Sequence, residues 1–262
     1  MDRRLAAIVT GMQHSGTTYL NNVINSHSRI MSGFECGILL GLLGNFETVK
    51  PFSDWLKTGK THFGLPDNYL NRIKNMNYEQ VYKYIQRNKG SQNDCHYQTL
   101  IKKCPYFTDK TPAYIYQLEL IYNKISHLNV PIIITLKKYE DIYHSWVVKR
   151  NIEYHVFLNN IIQCIESLKF IQRTPNINIF VFDFDDLINK KNKYNKHLME
   201  IIKNFNKKIN LEKLFEEKYN GKIKNTLPYK PFKKTHTNNA NLSGHEYQHL
   251  YNHLLNSLKV NL

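Results

Sequence analysis

Residues 11 to 18 read Gly11-Met12-Gln13-His14-Ser15-Gly16-Thr17-Thr18, and this short polar stretch decides the fold. The apolar run from Leu5 to Val9 precedes it and predicts a buried strand. Apolar residues at helical spacing follow it: Leu20, Val23 and Ile24. A strand, a glycine-containing loop and a helix in this order form an anion cradle, because the loop N–H groups and the helix N-terminus point toward one phosphate-sized group.

The spacing of this loop matches a Walker A loop, G-x4-G-K-[ST], except that Thr17 stands where the lysine belongs. Kinases and NTPases use that lysine with Mg²⁺ to neutralise β/γ-phosphate charge. A chain that keeps the cradle and lacks the lysine is expected to bind a donor with less charge, without a metal. A kinase with a degenerate Walker loop stays an alternative, for which Asp183 is the nearest candidate Walker B aspartate.

Strand-like and helix-like patterns alternate along the chain, which predicts a three-layer α/β fold with a central parallel sheet and helices on both faces. Further strands are expected at 30–32, 131–136 and 177–182. Further helices are expected at 36–43, 139–150, 157–171, 198–205 and 247–258. The run at 131–136 is β-branched enough to be a central strand buried on both faces.

The chain is interpreted as a single domain, residues 1–262, because it contains no internal repeat and no clear linker. Patterning weakens from Phe46 to Cys104, so residues 46–106 are predicted to form an insert or lid on the substrate side. A capping box of Ser243 and Glu246 is predicted to open the last helix.

The net charge is +15, and fourteen lysines against four glutamates lie between Lys190 and Lys234. Two interpretations stay open: a lysine-rich composition on solvated faces, or steering of a polyanionic ligand toward a cleft. A non-catalytic protein that binds nucleic acid or other polyanions is a further alternative. The sequence lacks zinc-finger spacings, an RNP-like strand and an arginine-rich arm, so no nucleic-acid partner is expected.

The sequence predicts a cytoplasmic protein without a membrane span. Its apolar runs stay well below the ~20 residues that cross a bilayer, and its first residues do not resemble a signal peptide. Four cysteines lie far apart, without a C-x-x-C pair: Cys36, Cys95, Cys104 and Cys164. Free thiols in a reducing compartment are the preferred interpretation.

Two further groups of residues are candidates for binding an anion. Lys137 ends the strand at 131–136, and Ser145 follows eight residues later on a predicted helix, so both could reach one phosphate; a surface lysine and a helix-interior serine are the alternative. In Asp109-Lys110-Thr111-Pro112, Pro112 suits a first helical position and Thr111 its N-cap. Lys110 opposes the helix dipole there, a conflict that a bound anion would resolve.

Glu35 is the candidate general base. It follows the predicted second strand, and a carboxylate at the carboxyl edge of a parallel sheet faces the crevice where ligands bind. It could remove a proton from an acceptor hydroxyl. The alternative role is a carboxylate that stabilises the dipole of the helix beginning near Cys36.

Together these residues resemble the sulfotransferases that use 3′-phosphoadenosine-5′-phosphosulfate (PAPS) and release adenosine 3′,5′-bisphosphate (PAP). The resemblance covers roughly Leu5 to Phe205 and includes heparan-type and tyrosylprotein-type enzymes. Its motifs stand in the family's order: Gly11 to Thr18, His27, Glu35, Asp109 to Pro112, Lys137 to Ser145, and Phe184-Asp185-Asp186-Leu187. The last motif resembles the family's Tyr-Glu-Asp-Leu, which is structural.

The resemblance implies a role for each candidate residue. Glu35, His14 and Lys110 would be catalytic, and Glu35 and Thr111 would contact the acceptor. Donor-binding residues would be Gly11, His14, Ser15, Gly16, Thr17, Thr18, Lys137, Ser145, Lys233 and Lys234. The last two, with His236, correspond to a basic C-terminal loop that closes over the donor. No metal is implied.

The chain departs from the family pattern at two positions. His14 replaces the arginine or lysine of the loop, so the charge there is expected to depend on pH near neutrality. In the family, an arginine at the position of Lys137 binds the 3′-phosphate. A lysine there cannot form the bidentate pair of hydrogen bonds that an arginine forms with a phosphate. The acceptor, implied to be a carbohydrate, a peptide or a small hydroxylated molecule, would receive the sulfuryl group on a hydroxyl or amine.

Overall fold

The computed structural model describes residues 4–25, 30–32, 37–41, 72, 76, 80, 84, 106–174, 177–189, 191–205 and 242–259. Within these residues, five parallel strands form one sheet with the order β2-β3-β1-β4-β5. The strands are β1 (Arg4–Thr10), β2 (Ile30–Ser32), β3 (Tyr106–Lys110), β4 (Ile132–Leu136) and β5 (Ile179–Asp183).

Helices connect these strands. The described α-helices are α1 (Thr17–Asn25), α2 (Ile38–Gly41), α3 (Leu118–Ile125), α4 (Tyr139–Tyr143), α5 (Tyr154–Arg173), α6 (Phe184–Asn189), α7 (Lys191–Phe205) and α8 (Leu242–Lys259). Short 3₁₀ segments cover Pro112–Gln117 and Ser126–Leu128. Helix α4 continues directly into a π-helical turn, His144–Val148.

The order of the strands places the candidate site. The chain leaves β1 for β2 and β3 on one side, and then crosses to β4 and β5 on the other. Sheets of this kind bind ligands beyond the carboxyl ends of the strands, at the point where the order switches. The register pairs Val9 with Lys110 and Leu136 with Asp183, so the ends of β1, β3, β4 and β5 meet at one edge.

Two apolar layers cover the two faces of the sheet. On one face Ile132 and Ile134 of β4 pack with residues of α3, α5 and α8, and on the other face Ile133 packs with residues of α1 and α7. All five residues of β4 are buried. The predicted three-layer α/β class, with helices on both faces of a parallel sheet, is therefore confirmed.

Strand β3 was not expected. It begins with Tyr106 and Phe107, which suit a strand, but it ends with Asp109 and Lys110, two charged residues that the structure buries. Apolar periodicity gives no signal for such a strand, because tertiary partners and not apolar side chains satisfy its end.

One predicted helix start is wrong, and a second is correct in position but lacks the capping hydrogen bond. Helix α8 begins at Leu242, so Ser243 lies inside its first turn and not at the N-cap of a capping box with Glu246. Thr111 does precede the 3₁₀ helix at Pro112, but its side chain makes no capping hydrogen bond. The reason is that its hydroxyl is used elsewhere, in a buried contact with Asp109.

Several predictions fall outside the described residues: Glu35, His27, Lys233, Lys234, three of the cysteines, and all but a few residues of the 46–106 insert. Cys164, the cysteine that is described, is a buried free thiol. Among the described helices, none combines the length and the apolarity needed to cross a membrane.

Candidate functional site

The loop between β1 and α1 closes on itself. Ser15 donates its backbone N–H to Met12 O at 3.0 Å and its hydroxyl to the same oxygen at 2.6 Å. The Ser15 hydroxyl also lies 3.2 Å from the hydroxyl of Thr135 on β4. His14 adopts a positive φ of 68°, which turns the chain back toward the helix. The predicted cradle of strand, loop and helix N-terminus is formed.

Both glycines of the loop are required by close approach. A Cβ at Gly11, where φ is +147°, would lie 2.4 Å from Thr135 O. A Cβ at Gly16, where φ is +96°, would lie 2.0 Å from Cδ2 of Phe184. The loop therefore packs directly on the end of β4 and on the first residue of α6.

Lys110 reaches the loop from the neighbouring strand. It is only 4% exposed, and its Nζ lies 3.5 Å from Thr18 Oγ1 in the first turn of α1. The β3 and β1 register brings it there, since Val9 pairs with Lys110. A buried cation beside the positive end of a helix dipole is favoured when an anion lies between them.

Asp109 organises the residues around Lys110. Its Oδ1 accepts the Thr111 hydroxyl at 2.8 Å and its Oδ2 accepts the Tyr114 hydroxyl at 2.7 Å. These hydroxyls in turn accept backbone N–H groups from Gly37 at 3.1 Å and from Leu39 at 3.1 Å. The network ties the start of α2 to the carboxyl end of β3. Thr111 is therefore a member of this network, and Gly37, which it holds, follows Glu35 by two positions.

Lys137 lies beyond the end of β4 and is 5% exposed. Its Nζ stands 5.1 Å from the centroid of the Phe184 ring, a cation–π distance. Burial lowers the pKa of Lys137, while Asp141 and Asp185 oppose that shift and Lys149 adds to it. Because the same ring blocks a side chain at Gly16, Phe184 joins the loop to Lys137.

Ser145 is buried in the π-helical turn that follows α4. Such turns widen a helix locally and occur often at functional sites. The next residue, Trp146, donates its indole N–H to Gln13 O at 2.8 Å, and its ring meets His14 edge-on at 6.1 Å. The turn that carries Ser145 is thereby fastened to the loop.

His14 is neutral at pH 7. The pKa of its imidazole is lowered to about 4, first by burial and then by the positive charges of Arg150 and Lys137. The expected titration near neutrality is therefore wrong, because two neighbouring cations add to the cost of burying the protonated ring. The effect of Lys137 on His14 also shows that the loop and the end of β4 share one electrostatic environment.

The C-terminal helix supports this edge of the sheet. Tyr247 donates to Lys137 O at 2.9 Å, and Tyr251 donates to a carboxylate oxygen of Asp183. The other oxygen of Asp183 accepts the N–H of Asp186 at 2.9 Å and caps α6. Asp183 is thus engaged by the protein at both oxygens. Within the described residues, no group of three or more His, Cys, Asp or Glu side chains is placed to hold a metal ion.

The structure brings together the loop, Lys110, Lys137 and Ser145 at one edge of the sheet. It adds residues that sequence reasoning did not assign to the site: Trp146, Arg150, Tyr114 and, as the shared packing surface, Phe184. The sequence signal available for Trp146 and Arg150 was their closeness to Ser145, which they follow by one and five residues. Glu35, Lys233 and Lys234 lie outside the described residues.

No family model matches this chain, and no curated protein does. Among solved structures, the sulfotransferase domain from the curacin biosynthetic pathway is 16% identical, with 81% of this chain and 77% of that domain covered at a TM-score of 0.50. The sulfotransferase domain from the Synechococcus PCC 7002 olefin synthase is 12% identical, with 96% and 97% covered at a TM-score of 0.50. This chain therefore has a sulfotransferase-like fold.

Proposed function

We propose that this chain is a sulfotransferase that moves a sulfuryl group from PAPS to an acceptor hydroxyl or amine. The observation that carries the proposal is the position of Phe184. Its ring packs against Gly16 of the loop, and the ammonium of Lys137 lies over the same ring. A donor with phosphate at two ends needs two cationic or N–H-rich anchors, and the loop and Lys137 are two such groups packed on one ring.

The residues fit a donor of this kind. Gly11 to Thr18 would cradle the 5′-phosphosulfate, because the loop leads from β1 directly into the N-terminus of α1, where backbone N–H groups attract an anion. Lys137 and Ser145 would hold the 3′-phosphate, since a buried ammonium with a depressed pKa gains most from an anionic partner. When bound, PAPS supplies the activated sulfuryl group.

Catalysis would rest on charges that are already in place. Lys110 and the loop N–H groups would stabilise negative charge that grows on the leaving phosphate oxygens. Glu35 would remove the acceptor proton, and the hydrogen bond from Gly37 N to Thr111 supports the chain two positions beyond it. Removal of one such preorganised donor typically costs ~10²–10³ in rate.

Two features support this activity over a metal-dependent kinase. The loop has Thr17 at the position of the Walker lysine. Asp183, the nearest candidate for a Mg²⁺ ligand, instead caps α6 and accepts Tyr251. A Walker B aspartate needs its carboxylate directed at the metal.

Calorimetric titration separates the two activities. We expect PAP to bind without Mg²⁺ and ATP to show no Mg-dependent binding. Mg-dependent ATP binding without PAP binding would show that the kinase is correct. A steeply salt-dependent affinity for nucleic acid with no PAP binding would show a polyanion-binding protein. Transfer from labelled PAPS to carbohydrate, peptide, phenol and lipid acceptors then identifies the acceptor, with Lys110→Ala as the inactive control that still binds PAP.

A further inference from the structure

Lys137 lies one residue past the paired strands, and the last helix contacts its backbone. The register between β4 and β5 ends at Leu136 and Asp183, so the carbonyl of Lys137 lies beyond the last pair. A buried carbonyl needs a hydrogen-bond partner. Tyr247 of α8 is fully buried, and its hydroxyl donates to Lys137 O at 2.9 Å. A residue of α8 therefore fixes the backbone of the cation that follows β4.

Helix α8 also holds the next peptide group of the chain. The first N–H groups of a helix have no partner within that helix, and Tyr139 is the first residue of α4. Its N–H donates to Gln248 Oε1 at 3.2 Å. Tyr247 and Gln248 are neighbours on α8, so two adjacent residues hold the peptide groups on both sides of Lys138. These two bonds fix the direction in which the chain leaves β4 and enters the helix that leads to Ser145.

One turn further along α8, Tyr251 supports the packing surface of the Lys137 side chain. Its hydroxyl donates to a carboxylate oxygen of Asp183, and the other oxygen of Asp183 caps α6. Helix α6 begins with Phe184, the ring over which the Lys137 ammonium lies. Tyr251 also stacks on Tyr247. Helix α8 therefore holds both the backbone of Lys137 and the start of the helix that carries the ring beneath its side chain.

We propose that Tyr247 and Gln248 are positioning residues, through which α8 holds Lys137 where it binds the 3′-phosphate of the donor. This role rests on the proposed function and deepens it, because recognition of one phosphate then depends on the last helix. The ammonium of a lysine is a point charge on a flexible four-carbon stem, so its contact with a phosphate depends on where the backbone stands. Loss of a bond to α8 should misplace this anchor and leave the loop at the other end of the site unchanged.

The test compares two ligands that differ in the 3′-phosphate. PAP has a phosphate at both ends, and adenosine 5′-phosphate lacks the 3′ group. Calorimetry is performed on the full chain and on Tyr247→Phe, which removes only the hydroxyl that donates to Lys137 O. We expect PAP affinity to fall by about 3- to 10-fold and adenosine 5′-phosphate affinity to stay within about twofold. A variant that merely loosened the fold would change both affinities alike.

Tyr194→Phe is the matched control. Tyr194 is also a buried tyrosine, and its hydroxyl donates to Asp186 Oδ2 at 2.7 Å, but it lies on α7 and packs on the other face of the sheet. Both variants should lower the free energy of unfolding in urea, because each loses the hydrogen bond of one hydroxyl. Tyr194→Phe should bind PAP and adenosine 5′-phosphate as the unmodified chain does.

A double-mutant cycle shows whether Tyr247 acts through Lys137. Lys137→Gln alone should lower PAP affinity by about 10- to 100-fold, because a charge-assisted contact is lost. Tyr247→Phe added to Lys137→Gln should then change PAP affinity by less than about twofold, since the ammonium that Tyr247 positions is absent. An equal loss in both backgrounds would show that Tyr247 acts elsewhere.

The outcomes separate the two proposals. If the unmodified chain does not bind PAP, the proposed function fails and the positioning role fails with it. If the chain binds PAP, but Tyr247→Phe binds PAP equally well or weakens both ligands alike, the positioning role is overturned and the function stands. The role is also overturned if Lys137→Gln leaves PAP affinity unchanged. Should Tyr247→Phe not fold, Gln248→Met decides. It keeps the length of a half-buried side chain and loses the acceptor for Tyr139 N–H, and an unchanged ratio of the two affinities overturns the proposal.

Discussion

Gly16→Ala tests the packing on which the site depends. The added Cβ would stand 2.0 Å from Cδ2 and 2.2 Å from Cε2 of Phe184, far inside the contact distance of non-bonded carbon atoms. The Phe184 ring would have to move, and Lys137 Nζ lies 5.1 Å from its centroid. One methyl group in the loop is therefore expected to disturb the anchor at the other end of the site.

The size of the effect follows from two terms. A non-glycine residue at φ +96° stores about 1–3 kcal/mol of backbone strain. Forcing a methyl group into packed aromatic contact costs about 1–3 kcal/mol. The free energy of unfolding should fall by about 2–6 kcal/mol. PAP affinity should fall by at least about tenfold, because a charge-assisted contact from Lys137 is misplaced.

Urea unfolding and PAP calorimetry measure the two effects, and Gly244→Ala is the control. A Cβ at Gly244 would lie 2.8 Å from Cζ of the buried Tyr139 ring, and its place inside α8 favours alanine by about 1 kcal/mol. This variant meets a packed ring without a positive φ, so its free energy of unfolding should fall by about 0–2 kcal/mol, less than in Gly16→Ala, with PAP affinity unchanged.

A double-mutant cycle decides the cause. Phe184→Ala alone should cost about 3–5 kcal/mol. If the added methyl group at Gly16 meets this ring, the combined variant Gly16→Ala with Phe184→Ala should be more stable than the two single losses predict, by about 1 kcal/mol or more. Strictly additive losses would refute the reasoning, because they would leave only backbone strain at Gly16.

Three further predictions concern the charges and hydrogen bonds of the site. A bound anion should raise the pKa of His14 from its value of about 4, so PAP binding should take up a proton and PAP affinity should rise as the pH falls from 8 to 5. The His14→Asn variant should not show this rise. Equal pH profiles of PAP affinity for the two proteins would contradict the prediction. Tyr114→Phe should lower the free energy of unfolding, measured in urea, by about 1–3 kcal/mol, because Asp109 loses a hydrogen-bond donor and Leu39 N loses an acceptor. An unchanged free energy of unfolding would show that this network does not stabilise the fold. Trp146→Phe keeps an aromatic ring but cannot bond Gln13 O, so PAP affinity should fall about fivefold by calorimetry with circular dichroism unchanged, and undiminished affinity would show that the turn is held by other contacts.

The sheet was largely predictable from the sequence, because a strand that is buried on both faces is a short continuous run of apolar residues. The runs at 131–136 and 177–182 correspond to β4 and β5 within two residues at each end. The loop was predictable for a similar reason, since two glycines at fixed spacing between a strand and a helix admit few structures. In these cases the determining information lies within a few neighbouring residues.

The remainder depends on contacts between distant segments. Strand β3 ends in Lys110, whose partner Thr18 lies 92 positions away along the chain. The pKa of His14 is lowered first by burial and then by Arg150, which lies far away along the chain. The π-helical turn at His144–Val148 also left no periodic signal. His14 and Arg150 lie too far apart in the sequence for a local pattern to reveal their interaction, and the same holds for Lys110 and Thr18.

Positive charge in this site surrounds the loop and is absent from it. Lys110 approaches from β3 and Lys137 from the end of β4, while Arg150 stands on the turn that Trp146 fastens to Gln13. A Walker lysine would add one more cation beside the buried Lys110 and Lys137 and the exposed Arg150, and each added charge raises the cost of burying the others. The depressed pKa of His14 shows that this cost is already felt at the loop, since Arg150 and Lys137 both disfavour its protonated form. The pKa of His14 is lowered first by burial and then by Arg150 and Lys137, and the absence of lysine at Thr17 fits the same arrangement, in which neighbouring elements carry the positive charge.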